Sequence, residues 1–103
     1  MVKTEIFERI LADVCEVTEI PERDIMSRSR REEIVDARHL LAAELSRGGY
    51  YPGMIAGRLG VSGRAVRNML RDFPSRAGRS PGLEMCWRKV EEMRKKDGTD
   101  RET

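Results

Sequence analysis

The feature that most constrains this chain is Gly60, which separates two short stretches of apolar residues at helical spacing. Glycine adopts left-handed backbone conformations that other residues resist, so Gly60 permits a tight turn between two helices. Ser62 follows as a cap for the second helix. Ala56 lets the two helices approach closely, and Val66 fills the angle between them. The pattern predicts a helix-turn-helix over residues 53–73, and a helical hairpin without a DNA-binding role is the alternative.

The second helix of this pair, predicted over residues 63–73, has two different faces. The inward face is apolar and consists of Val66, Met69, Leu70 and Phe73. The outward stripe has no acidic residue before Asp72 and consists of Gly63, Arg64, Arg67, Asn68 and Arg71. Arginine forms bidentate hydrogen bonds with guanine, and asparagine with adenine, in the major groove of DNA. We therefore predict a recognition helix that contacts base edges, with an ordinary solvated charged face as the alternative.

Apolar periodicity predicts that the rest of the chain is helical as well. Neither the alternating pattern of a strand nor an internal repeat is present. Spacings of three and four predict helices over 4–18, 30–47 and 82–96, with a short helical turn over 21–25. The sequence therefore predicts an all-α fold, with a single helical domain over residues 1–96 and a polar tail over 97–103.

Three residues mark expected helix boundaries. Ser29 and Glu32 form a capping-box pattern that begins the second long helix at Arg30. Pro74 is expected to end the helix of residues 63–73, because proline lacks the N–H that a helix interior needs. Ser80 then caps the last helix.

The net charge of +2 conceals an uneven distribution along the chain. Residues 1–22 carry a charge of −4, residues 23–82 carry +6, and residues 83–103 are neutral. All 12 basic residues of the middle segment are arginine. Arginine is suited to bidentate contacts with phosphate and guanine, so this segment is the part of the chain most suited to nucleic acid.

Several residues of the middle segment are expected to contact the DNA backbone. We expect phosphate or minor-groove contacts from a basic loop and the helix that follows it, through Arg28, Arg30, Arg31 and Arg38. Ser62 and the backbone amides that open the recognition helix are expected to bind a further phosphate. Tyr50 and Tyr51 are expected to pack against the two-helix pair, with stacking on a base or sugar as the alternative.

Other function classes are disfavoured by the residues that the chain lacks. No apolar run approaches the ~18 residues of a membrane span, and the polar N-terminus lacks the apolar core of a signal peptide. Cys15, Cys86 and His39 are too few for a usual zinc site, and no catalytic triad arrangement is present. We therefore expect a cytoplasmic, nucleoid-associated protein that is not an enzyme. We expect no metal, no cofactor, no small-molecule substrate and no membrane contact.

The order of these segments resembles the C-terminal DNA-binding domain, domain IV, of the bacterial replication initiator DnaA. The resemblance covers residues 4–73 well and 82–96 loosely. It is carried by the first amphipathic helix, Ile20-Pro21-Glu22-Arg23-Asp24-Ile25, the Ser/Arg-rich loop, Ile34-Val35-Asp36-Ala37-Arg38-His39-Leu40-Leu41 and the two-helix pattern. It implies a small all-α fold of the Trp-repressor and DnaA domain IV kind, with the recognition helix in the major groove of a short origin box. By resemblance, an arginine of the loop enters the adjacent minor groove. That role falls to Arg30, with Arg28 or Arg31 as substitutes.

The recognition segment departs from that family. The family's motif Gly-Gly-Arg-Asp-His-Thr-Thr-Val is replaced by Gly60-Val61-Ser62-Gly63-Arg64-Ala65-Val66, which is closer to the hairpin of transcription regulators. The chain also lacks the phosphate loop of the family's ATPase module, so it is interpreted as a stand-alone relative or an excised domain.

Two functions follow from these patterns. We expect sequence-preferring binding to double-stranded DNA, in the control of replication or transcription, with a protein partner or a homodimer adding affinity. The alternative is a protein-interaction adaptor that keeps the fold without DNA binding. Its docking faces would be the acidic first helix or a last helix that exposes Trp87.

Overall fold

The computed structural model describes the backbone of residues 3–97 and the side chains of residues 5–96. Within that part the chain forms helices joined by short connections and contains no strand, which confirms the all-α prediction. The helices are α1 (Lys3–Thr18), α2 (Glu22–Ile25), α3 (Glu32–Arg47), α4 (Pro52–Leu59), α5 (Gly63–Arg79) and α6 (Pro81–Asp97). The last helix extends to Asp97, and the rest of the expected polar tail lies outside the described residues.

Helix α3 is the centre of the domain, because it packs against each of the other five helices. Its side chains Leu40, Leu41 and Leu45 are fully buried. Burial of an aliphatic side chain of this size stabilises a fold by about 1.5–3 kcal/mol. The remaining core is mainly aliphatic and includes Ile10 and Val14 of α1 and Val90 of α6. Through this core, α1 and α6 pack against each other and against α3. Helices α4 and α5 likewise pack against each other and against α3.

The expected turn residues occupy the backbone conformations that they favour. Gly60 ends α4 in the left-handed region, with φ of +70°. Pro52 occupies the first turn of α4, where its missing N–H costs nothing. Ser80 accepts a hydrogen bond from the Leu83 amide at 3.2 Å and thereby caps α6, as predicted.

The prediction that Pro74 ends the helix after residue 73 is wrong, because α5 continues to Arg79. A proline in a helix interior costs about 3 kcal/mol. Tertiary packing offsets this cost: Phe73 and Ala77, on either side of the proline, are both buried. The Phe73 ring also meets the Trp87 ring edge-on, with centroids 5.0 Å apart. Pro74 itself faces solvent, so its ring does not disturb the core.

The predicted capping box at Ser29 is also wrong, since α3 begins at Glu32 with Arg31 as its N-cap. The Ser29 hydroxyl instead accepts a hydrogen bond from the Arg31 amide at 3.2 Å. A hydroxyl that bonds the amide two residues onward forms a local turn and leaves the backbone non-helical. Helix α3 therefore begins two residues later than predicted, and Arg30 and Arg31 belong to the basic loop.

Candidate nucleic-acid interface

Helices α4 and α5 are joined by a three-residue connection whose backbone hydrogen bonds are satisfied locally. The amides of Gly60 and Val61 both donate to the Ala56 carbonyl, at 2.9 and 3.1 Å. The Ser62 hydroxyl accepts a hydrogen bond from the Ala65 amide at 3.0 Å and caps α5. Val66 is fully buried, as the spacing around Gly60 predicts. The connection therefore sets α5 at a defined position relative to α4.

The outward face of α5 has the exposure that the sequence predicts. Arg64, Arg67, Asn68 and Arg71 are exposed, and Gly63 is partly buried. Arg71 forms an exposed ion pair with its neighbour Asp72, at 3.0 Å. A Cβ atom at Gly63 would meet only the Arg67 guanidinium, at 3.5 Å, which is an ordinary contact. The N-terminal turn of α5 thus presents its backbone and two arginines to solvent.

The basic loop, defined here as residues 27–31, presents three exposed arginines. Arg31 forms an ion pair with Glu33 at 2.7 Å, and both side chains are exposed. Such exposed pairs contribute little to stability and separate readily. Within the described residues, Arg28 and Arg30 have no carboxylate within 4 Å. The same holds for Arg64 and Arg67 of α5.

The fold places the basic loop beside the connection between α4 and α5. A groove of about 460 Å³, called here the loop–helix groove, opens between the basic loop and the α4–α5 connection. Arg28 and Arg30 line it from the loop, and Gly60, Val61 and Ala65 line it from the other side. The loop and the connection are separated in the sequence by all of α3 and α4, yet they form the two sides of one groove that arginines line.

Arg38, which the sequence predicts as a phosphate contact, is partly buried and lines the loop–helix groove. Its guanidinium donates to three backbone carbonyls, those of Ile25, Ser27 and Ser29, at 2.9, 2.7 and 3.3 Å. Partial burial lowers the pKa of Arg38 from its ordinary value. Sequence reasoning missed this contact, because no local pattern joins an arginine in a helix to carbonyls that precede the helix.

Other arginines of the middle segment are engaged in contacts away from the loop–helix groove. Arg47 pairs with Glu91 of α6, and Arg76 pairs with Asp36 of α3. The guanidinium of Arg58 lies 4.6 Å from the centre of the Phe7 ring, in a cation–π contact. The excess of arginine in the sequence therefore overstates the number available to a ligand.

His39 and Tyr50 are wholly or partly buried, and Tyr51 is exposed. The Nδ1 atom of His39 hydrogen-bonds the Val35 carbonyl at 2.8 Å, and burial lowers the pKa of the ring. Tyr50 is buried and packs near Phe7, with ring centroids 6.3 Å apart, whereas Tyr51 is exposed. The part of the chain that the structure describes contains no group of three or more side chains suited to bind a metal ion.

Comparison of this chain with protein-family models, with curated proteins and with solved structures found no match. Over residues 3–97, the helices are too short or too polar to cross a membrane.

Proposed function

We propose that this chain binds double-stranded DNA, with α4 and α5 acting as a helix-turn-helix. The proposal rests chiefly on the loop–helix groove, which is bordered by arginines of the basic loop and by the start of α5. Arginines without carboxylate partners carry their full positive charge to a ligand. A duplex that lies across this face would meet both groups at once, in neighbouring grooves or on the phosphates between them.

In this proposal α5 enters the major groove with its exposed stripe toward the bases. Arg64 and Arg67 contact guanine edges or adjacent phosphates, and Asn68 contacts adenine. Arg71 lies one turn further along, where it exchanges its ion pair with Asp72 for a phosphate. The four side chains are exposed on one face, as base readout requires.

The start of α5 supplies a phosphate site in the same proposal. The Ser62 oxygen accepts the Ala65 amide, which leaves the hydroxyl hydrogen of Ser62 to donate to a phosphate oxygen. The first amides of a helix favour an anion, because their N–H groups are unpaired and the helix dipole is positive there. Gly63 adds no side chain that would keep a phosphate at a distance.

Arg28 and Arg30 complete the interface from the basic loop. They bind phosphates or enter the minor groove next to α5, the role that the resemblance to DnaA domain IV implies for Arg30. Arg31 takes part after its exposed pair with Glu33 opens. A protein with this activity acts at the nucleoid, in the control of replication or transcription, and a partner or second copy adds affinity to a small interface.

The adaptor alternative would be favoured by an exposed Trp87. The Trp87 ring is instead partly buried, and its Nε1 atom donates to Glu44 and Glu91 at 3.1 and 3.0 Å. We therefore propose binding to DNA rather than docking through this ring.

The test is a titration of fluorescent duplex oligonucleotides with the protein at several salt concentrations, followed by selection from random duplex DNA. The Arg64→Ala/Arg67→Ala variant should bind at least about tenfold more weakly. The slope of log affinity against log salt should decrease by about 1.8 if both arginines contact phosphates, and by less if they read bases. The selection reports which bases are read.

The matched control is Arg9→Ala/Lys89→Ala, which removes the same charge from exposed positions of α1 and α6. This variant should bind as the wild type does, with at most a small loss of affinity. If both double variants bind equally well, α5 is not the recognition helix. If the wild type does not bind duplex DNA at low salt, the proposed function is wrong.

A further inference from the structure

Within the described part of the chain, one side chain of α3 hydrogen-bonds the backbone of the basic loop and of the segment before it. Arg38 donates from Nε to the Ile25 carbonyl, from one terminal nitrogen to Ser27 and from the other to Ser29. These three carbonyls extend from the end of α2 to the middle of the loop. One planar guanidinium therefore fixes the backbone on both sides of Arg28.

The loop has little else to define its path. The Ser27 and Ser29 hydroxyls make local hydrogen bonds: Ser27 donates to the Asp24 carbonyl and accepts from the Ser29 amide, and Ser29 accepts from the Arg31 amide. Within residues 5–96, no other side chain from outside the loop hydrogen-bonds the carbonyls that Arg38 binds. The side chains of Arg28 and Arg30 are exposed and have no hydrogen-bond or ion-pair partner among the residues that the structure describes.

Arg38 is well placed to act as an anchor. Its neighbours Ala37 and Leu40 are buried in the core, so the backbone at Arg38 is fixed in the centre of the domain. Helix α3 also packs directly against α5. The same helix thus supports the recognition helix on one side and, through Arg38, the basic loop on the other.

We propose that Arg38, which lines the loop–helix groove, is a positioning residue of the DNA-binding site: backbone carbonyls engage its guanidinium, and it acts on DNA by setting the basic loop at a fixed distance from α5. This inference rests on the proposed function for its consequence in binding, while the anchoring of the loop is a property of the protein alone. A pre-ordered loop avoids the entropic cost of fixing its backbone when DNA binds. The position of Arg28 and Arg30 relative to α5 then selects DNA of matching groove geometry.

The first test uses the free protein and needs no DNA. Trypsin cleaves after arginine, and cleavage in an ordered segment requires local opening. In Arg38→Met and Arg38→Lys, cleavage after Arg28 and Arg30 should accelerate by about tenfold or more, with fragments identified by mass spectrometry. Cleavage after Arg79, at the far end of α5, is the internal control and should keep its rate. Arg38→Lys retains the charge but loses the planar fork, so it separates hydrogen bonding from charge.

The second test is a double-mutant cycle on duplex DNA. Arg38→Lys introduced into the wild type should weaken DNA binding by about three- to tenfold. The same substitution introduced into Arg30→Ala should weaken it by less than about twofold, because Arg38 acts through the loop arginine that this variant lacks. A direct phosphate contact by Arg38 would instead give additive losses. Additive losses, or loop cleavage at the wild-type rate in both variants, would overturn the proposal. If the wild type does not bind DNA, the proposed function fails while the cleavage experiment still decides whether Arg38 anchors the loop.

Discussion

Arginine has opposite environments on two sides of this domain. On the loop–helix groove and at the start of α5, the side chains of Arg28, Arg30 and Arg64 are exposed and have no carboxylate partner within the described residues. Between α3 and α6, the Arg94 side chain is 1% exposed and pairs with Glu44, which is fully buried. The same residue type is therefore exposed without an acidic partner in one region and buried beside one in the other.

The α3–α6 region is held by a connected set of polar contacts. Arg94 also donates to the Glu44 carbonyl at 3.2 Å, so it binds both the side chain and the backbone of one residue. The Trp87 Nε1 atom bridges Glu44 and Glu91, and Glu91 pairs in turn with Arg47. The buried Arg94 and Glu44 thereby pair with each other, and buried charges are generally found paired.

The difference between the two regions shows that the count of arginines in a segment is a poor measure of how many are exposed without a carboxylate partner. The arginines of the two regions differ in whether the fold places a carboxylate or a carbonyl beside the guanidinium. Arginines on the groove should therefore affect binding with little effect on stability, and arginines of the α3–α6 network should do the reverse.

The largest expected effect is on stability, from Arg94→Met. The substitution leaves Glu44 buried without its partner, and loss of one member of a buried pair costs about 3–5 kcal/mol. The measurement is the free energy of unfolding by urea at pH 8. The matched control is Arg88→Met, which breaks an exposed pair with Glu84 and should cost less than about 1 kcal/mol. Equal losses in the two variants would contradict the distinction between the regions.

A second expected effect is a pH dependence that arises from Glu44. Burial, opposed in part by the hydrogen bond from Arg94, raises the pKa of Glu44 to about 7, from an ordinary value of 4.5. A carboxyl with a raised pKa in the folded state binds its proton more tightly there than in the unfolded chain. Its contribution to stability is therefore present at low pH and is lost as the pH rises from about 4.5 to 7.

Glu44→Gln tests this sign. Between pH 5 and 7 the wild type should lose about 2 kcal/mol of stability relative to Glu44→Gln. His39, whose pKa burial lowers, acts in the opposite direction over the same range but is common to both proteins. Burial acts to raise the pKa of Glu91, but hydrogen bonds from Arg47, Glu44 and Trp87 lower it overall. The contribution of Glu91 to stability therefore changes below pH 4.5. The measurement is thermal unfolding across pH, and parallel curves for the two proteins would refute the assignment.

The smallest expected effect concerns the connection on the groove side. Gly60→Ala places a Cβ on a residue with φ of +70°, where nothing lies within 4 Å to clash with it. The cost is therefore backbone strain alone, about 1–2 kcal/mol. Gly57→Ala, also in open space but in the middle of α4, should instead stabilise the protein by about 0.5–1 kcal/mol. Urea unfolding of both variants compares them, and a loss in both would show that the turn conformation is not the cause.

Local patterns predicted most of the fold and part of the candidate site. The turn at Gly60, the caps at Ser62 and Ser80 and the burial of Val66 follow from backbone preferences and from spacing within a few residues. The exposed stripe of α5 follows from helical periodicity. The DNA-binding role of that stripe stays a prediction.

The two errors have different physical origins. Tertiary packing overrides the local signal of Pro74, because Phe73 and Ala77 are buried and the Phe73 ring meets Trp87 of α6. Ser29 instead makes a different local contact, with the Arg31 amide, so a competing short-range pattern replaced the predicted capping box.

By itself the sequence determined which segments are helical, where the tight turn between α4 and α5 occurs and which side of α5 is polar, because these depend on residues one to four positions apart. Only the tertiary structure decided which arginines are available to a ligand. Arg38 and Arg94 differ from Arg30 and Arg64 in the acceptors that the fold places beside them. Those acceptors lie up to 50 positions away in the sequence, as between Arg94 and Glu44.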